Sequence, residues 1–92
     1  MLFAITCLDK PGHLELRLAN RAAHLDYARP NADKMLAGGP LLADDGVTMV
    51  GSLILIELPD RAAAEAMMAD DPYVKAGLFQ SVDIRPYKKV LP

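Results

Sequence analysis

Ninety-two residues are enough for one small domain, residues 1–92, and a hydrophobic content of 52% is too high for a disordered segment. A formal charge of −2 and a pI near 5.5, with basic residues scattered apart from Lys88-Lys89, exclude a surface built to follow a phosphate backbone or an anionic membrane. The longest strongly apolar run, Leu53 to Ile56, falls far short of the roughly 20 residues that span a bilayer, so no membrane partner is expected. The first residues carry no basic start and meet Asp9 and Lys10 early, so they do not read as a signal peptide. Cys7 is the single cysteine, which rules out an internal disulfide and fits a reducing, cytoplasmic setting. A lone thiol in an apolar segment reads as a small core hydrophobe before it reads as a reactive group.

Residues 2–8 form the first expected strand, apolar on both faces, ended by the turn residues Asp9, Lys10, Pro11 and Gly12. A helix is expected over 13–28. Its residues Leu14, Leu18, Ala22 and Leu25 repeat at helical spacing and predict one buried stripe. Pro30 breaks this helix and opens a shorter one over 30–36, which Gly38 and Gly39 stop. Pro40 then starts a short extended segment over 41–43.

Asp44, Asp45 and Gly46 make a tight turn of hairpin type. The strand expected over 47–58 is the most apolar part of the chain. Val50, Ile54, Ile56 and Leu58 share one face; Met49, Leu53 and Leu55 share the other. Asp60 is placed to cap a second helix running to residue 69. Asp71 and Pro72 fit the cap and first position of one more helical turn, closed by Gly77. The last strand, over 79–85, alternates, with Val82 and Ile84 facing in and Ser81, Asp83 and Arg85 facing out.

The order βαββαβ points to a split βαβ arrangement, an antiparallel sheet with both helices on one face. The other sheet face would then be bare, although the first and third strands are apolar on both sides. An uncovered apolar face of that size marks an interface, so the pattern predicts a homodimer built by two sheets packing together, with higher assembly left open.

Several motifs, in order, carry a resemblance to a known family: Arg17 and His24 in the first helix, Gly38-Gly39-Pro40-Leu41 after it, and Gly46 in the turn. Gly51-Ser52, Asp71-Pro72-Tyr73, Ala76-Gly77 and Ile84-Arg85-Pro86-Tyr87 complete the set. Together they resemble the YCII-related (YciI-like) family of the dimeric α+β barrel superfamily, over nearly the whole chain. The resemblance implies a ferredoxin-like α+β protomer, a dimer, and a pocket between helices and sheet that holds a His-Asp pair. The matching positions are His24 and Asp71, with Tyr73 beside the latter. Tyr87 departs from the Trp or Phe common in relatives, which touches packing more than chemistry. Relatives in the wider superfamily include isomerases and cofactor-free oxygenases acting on small aromatic-derived molecules, and many YCII-like proteins have no assigned reaction.

His24 and Arg17 lie to the same side of the apolar stripe of their helix, where a side chain meets both a pocket and a partner. A histidine held by a carboxylate is a proton-transfer device; a boundary histidine bonded to backbone is the alternative reading. Asp71 before Pro72 is already accounted for as a helix cap, and that role is compatible with orienting His24. Arg17 offers a planar fork for a substrate carboxylate or phenolate, or lies exposed along its helix. Arg21 sits nearer the stripe than a solvated charge should and calls for an acid that the sequence does not name. The Ser52 hydroxyl interrupts an apolar strand and needs a partner, either a ligand in the pocket or nearby backbone.

Two histidines and one cysteine give no metal-ligand spacing, and Gly38-Gly39 lacks the pattern of a dinucleotide or phosphate loop. Five aromatic residues provide no base-stacking platform, so no nucleic-acid partner is expected. The leading expectation is a small enzyme without a cofactor that moves a proton on a cyclic or aromatic-derived metabolite, by isomerisation or elimination. His24 and Asp71 would be catalytic, and Arg17, Ser52 and Tyr73 would bind the substrate. The other expectations are a dimeric small-ligand-binding module using the same pocket, and an interaction domain in which His24 is merely packed.

Overall fold

The computed structural model describes all of residues 1–92. Its elements are β1 (Leu2–Asp9), α1 (Leu14–Ala28), a 3-10 helix (Arg29–Lys34), β2 (Met35–Leu42), β3 (Met49–Glu57), α2 (Arg61–Asp70), α3 (Pro72–Lys75) and β4 (Phe79–Pro86). The strands form one sheet in the order β2-β3-β1-β4, and every neighbouring pair is antiparallel. With its helices packed over one face, this is the α+β, ferredoxin-like βαββαβ arrangement. No helix is long and apolar enough to cross a membrane.

Local chemistry sets most boundaries. The Asp60 carboxylate accepts from the Ala63 N–H at 2.9 Å and starts α2. Asp71 does the same for α3, accepting from the Tyr73 N–H at 2.8 Å with Pro72 at the first helical position. The β2–β3 connection is held by Asp45, which accepts from the Val47 and Thr48 N–H groups at 2.9 and 2.8 Å and from the Thr48 hydroxyl at 2.6 Å.

Two segments depart from the sequence reading. Gly38, Gly39 and Pro40 do not stop a helix; they lie inside β2, and only a 3-10 helix precedes it. β2 is an edge strand, where a proline without an N–H breaks no ladder on the open side. The second departure is α1. Of the stripe expected to be buried, Leu14 is 38% and Leu18 52% exposed, Ala22 is exposed, and only Leu25 is half-buried. The inward face carries Arg17, Asn20, His24 and Tyr27, roughly a third of a turn round the helix.

That rotation has a structural reason. The sealed core lies under α2, where Ala64 and Met68 pack on Phe3, Ile5 and Cys7 of β1, Ile54 and Ile56 of β3, and Ile84 of β4. No residue of α1 joins this cluster. Instead α1 lies over the inward faces of β2 and β3 and leaves a cleft between them. Polar groups face inward because they find partners there: the Tyr27 hydroxyl donates to the Met67 carbonyl at 2.8 Å, and Arg17 and His24 bind carboxylates.

On the opposite side the sheet is bare. Leu2, Ala4, Thr6 and Leu8 of β1 lie beside Leu53 and Leu55 of β3, with Leu8 and Leu53 exposed. Gly51 in β3 is required by close strand approach: a Cβ there would overlap the Cys7 carbonyl oxygen.

Candidate functional site

The cleft under α1 has a volume of about 200 Å³. Its floor is made by Ser52 and Ile54 of β3 with Gly38 and Pro40 of β2, which pair with them across the ladder. Met35 and Met49 close the sides, and α1 supplies the roof through Arg17, Arg21, His24 and Leu25. Tyr73, delivered by α3, seals the inner end.

His24 stands at the junction of α1 and α3. Its Nδ1 lies 3.0 and 3.1 Å from the two carboxylate oxygens of Asp71. An ionised carboxylate only accepts, so Nδ1 carries the proton and donates, and Nε2 is left as the basic nitrogen. Nε2 makes no bond within the protein and is not sealed from solvent, and the His24 side chain lines the cleft. Asp71 is itself held in place, because one of its oxygens also caps α3. The imidazole stacks on Tyr73 with ring centroids 4.1 Å apart and planes 14° from parallel, which fixes its tilt.

Arg17 is not the free fork the sequence allowed. Its Nε and one terminal nitrogen donate to the Asp9 carboxylate at 2.7 and 3.0 Å, and that same terminal nitrogen donates to the Ser52 hydroxyl at 2.9 Å. The pair is buried, with the two side chains 3% and 6% exposed. Burial opposes the Arg17 charge, but the bonds to Asp9 outweigh it and hold the guanidinium above its ordinary pKa. The guanidinium carbon also sits 4.6 Å from the centre of the Tyr73 ring. The Tyr73 hydroxyl is a further partner of this guanidinium, so Arg17 is tied to Asp9, Ser52 and Tyr73 at once. Ser52 accepts from Arg17, so its hydroxyl hydrogen remains available to a bound molecule.

Burial pushes the Tyr73 phenol above its usual range, against the pull of Arg17 and Arg21, so it stays a neutral donor near pH 7. Cys7 lies in the core below, where burial raises its thiol to about 12 and keeps it an inert packing group. No group of three or more His, Cys, Asp and Glu side chains is gathered closely enough to hold a metal ion.

His24, Asp71, Arg17, Ser52 and Tyr73 thus meet around one cleft. Asp9 was missed: it reads as a turn residue, yet it is the partner that locks Arg17. The signal for it lay in strand alternation, since Phe3, Ile5, Cys7 and Asp9 occupy successive inward positions of an apolar strand. Met35 and the Gly38–Pro40 stretch also wall the cleft, which the sequence hides because a Gly-Gly pair reads as a helix stop. Arg21 has no acid partner; it lines the mouth of the cleft.

A four-stranded antiparallel sheet with its helices on one face places the chain in the class of small ferredoxin-like α+β proteins. Within that class the chain belongs to the YCII-related domain family, whose model matches residues 1–88. It is 37% identical to protein YciI of Escherichia coli O6:H1, over 98% of this chain and 99% of that protein. Among solved structures it resembles the 5-chloro-2-hydroxyhydroquinone dehydrochlorinase TftG of Burkholderia phenoliruptrix AC1100, in complex with 2,5-dihydroxybenzoquinone. Identity there is 38% and the TM-score 0.89, over 96% of this chain and 94% of that one. A more partial relative, derivative of benzaldehyde biosynthesis cluster protein C of Emericella nidulans, is 33% identical over 70% of this chain and 74% of its own.

Proposed function

We propose that this protein is a small enzyme, working without a cofactor, that moves a proton on a one-ring hydroxylated or quinone-type metabolite. One observation carries the reading: His24 Nδ1 is held by Asp71, Nε2 has no partner in the protein, and the side chain lines a cleft of about 200 Å³. A cavity of about 150 Å³ takes a benzene ring, so the space suits a single substituted ring. The resemblance to a dehydrochlorinase with a dihydroxybenzoquinone ligand supports the same substrate class.

In this reading His24 is the general base and later the acid, and Asp71 orients the ring and stabilises the imidazolium that forms. In an elimination, Nε2 takes a substrate proton while the leaving group departs with its electron pair, and the proton then passes to water. In an isomerisation the same proton returns to another position on the ring. Neither course needs an oxidant or a reductant. The Ser52 hydroxyl, with the positive charge of Arg17 behind it, holds a ring oxygen, and Tyr73 packs beside the ring.

The working unit we propose is a homodimer, formed by burying the bare sheet face against that of a second copy, in the cytoplasm.

The test is turnover of 5-chloro-2-hydroxyhydroquinone, followed by absorbance, in the native protein and in His24→Ala. Loss of the general base is expected to lower kcat by about 100- to 10,000-fold. Binding of 2,5-dihydroxybenzoquinone should change far less. Undiminished turnover in His24→Ala sinks the mechanism. Tight binding of both rings with no turnover in the native protein assigns the cleft to ligand binding instead.

A further inference from the structure

The side chains that face the cleft include three arginines, Arg17, Arg21 and Arg29, and no aspartate or glutamate. The three differ in how their charge is satisfied. Arg17 is bound by Asp9 at 2.7 and 3.0 Å. Arg29 pairs with Asp26 at 3.4 Å on the outer surface. Arg21 has neither an ion pair nor a side-chain hydrogen bond, although it sits between them at the cleft mouth. It is four residues after Arg17 and three before His24, spacings that put all three side chains on one side of α1. The side chains of Asp9 and Asp71 are buried behind Arg17 and His24 and turned to those partners.

From this arrangement we infer that the cleft takes an anion, an ionised oxygen carried on a ring, and that Arg21 is the residue that holds it. The inference rests on the proposed ring-binding function and names its substrate class as the enolate or phenolate form. The geometry separates two tasks. Arg17 is already locked at the inner end by Asp9, Ser52 and Tyr73, whereas Arg21 keeps all five donors free at the mouth. An anion entering past Arg21 would have its ionised oxygen neutralised there and its ring laid against Met35, Met49 and Tyr73, with His24 Nε2 alongside. Arg21 also places positive charge beside His24, where charge that develops on the ring oxygen during proton removal is stabilised.

The test uses two rings of the same shape. In 2,5-dihydroxybenzoquinone each hydroxyl is conjugated to a carbonyl, as in a carboxylic acid, and it ionises in neutral buffer. Its dimethyl ether, 2,5-dimethoxybenzoquinone, cannot ionise. Dissociation constants are measured by calorimetry for the native protein, Arg21→Gln and Arg21→Lys, at low and at physiological salt. The native protein is expected to prefer the ionised ring. Arg21→Gln should weaken that ring by about 10- to 100-fold while leaving the ether unchanged, with Arg21→Lys in between. Equal affinity of native protein and Arg21→Gln for the ionised ring overturns the role of Arg21 but leaves the ring-binding function standing. Failure of the native protein to bind either ring overturns both. Arg21 is exposed at the helix surface, so both variants are expected to keep the native thermal unfolding midpoint, which checks that the comparison is between folded proteins.

Discussion

Asp9 shows how one buried side chain governs a site that it does not line. It binds Arg17 through both oxygens, and Arg17 in turn fixes Ser52 and overlies Tyr73. Removing the negative charge leaves a buried guanidinium without compensation. Asp9→Asn is therefore expected to cost about 3–5 kcal/mol, read from urea unfolding. A loss below about 1 kcal/mol would mean that water reaches the pair and that Arg17 is less constrained than its burial indicates. His24 and Asp71 meet through different elements, so their hydrogen bond should survive this substitution. Of the residues that meet at the cleft, His24, Asp71, Arg17, Ser52 and Tyr73 were legible as polar or aromatic groups at telling positions along the chain. Asp9 was legible only to someone who followed the inward alternation of β1 one residue past its last apolar side chain.

At the level of elements, β1, β3, β4, the caps and the turns follow local rules, and β2 and the orientation of α1 do not. Leu14, Leu18, Ala22 and Leu25 form the most regular apolar stripe in the helix, yet Leu14 and Leu18 stand exposed in the protomer. Periodicity reports which residues share a face; it carries no information on which face the sheet will take. Here the choice went to the polar side, because Arg17, His24 and Tyr27 find buried partners there and the apolar core is completed by α2. Leu18→Gln is accordingly expected to change stability by no more than about 0.5 kcal/mol. A buried leucine at that position would cost about 2–5 kcal/mol when cut down, so a loss in that range would show the stripe to be covered. Gly51 is the converse case: a glycine in a strand advertises close approach, and the approaching group proved to be the β1 backbone.

For the molecule as a whole, the protomer buries only 15 of its 92 residues, which is thin for a stable core and leaves Leu8 and Leu53 exposed on one sheet face. We propose that a second copy covers that face. Light scattering coupled to gel filtration should then give a mass about twice 10.0 kDa, and Leu53→Glu should shift it toward the single chain by placing a charge in the apolar patch. A native mass of 10.0 kDa, unchanged by the substitution, removes the dimer. The cleft lies on the opposite face of the sheet, so the proposed chemistry and the proposed assembly would use separate surfaces of one sheet.

The linear chain by itself determined what depends on near neighbours: where every element but β2 and the 3-10 helix before it begins, which residues cap α2 and α3, and that the first and third strands are apolar on both sides. Those properties come from backbone sterics, capping hydrogen bonds and alternation, all of which act over a few residues. Tertiary structure alone decided which face of α1 turns inward, that Asp9 meets Arg17, and that Gly38 and Pro40 become the floor of a cleft. Each of these depends on pairing between groups far apart in the chain, where burial makes an unmatched charge or an unpaired polar atom costly and so selects one arrangement among several that local patterns allow.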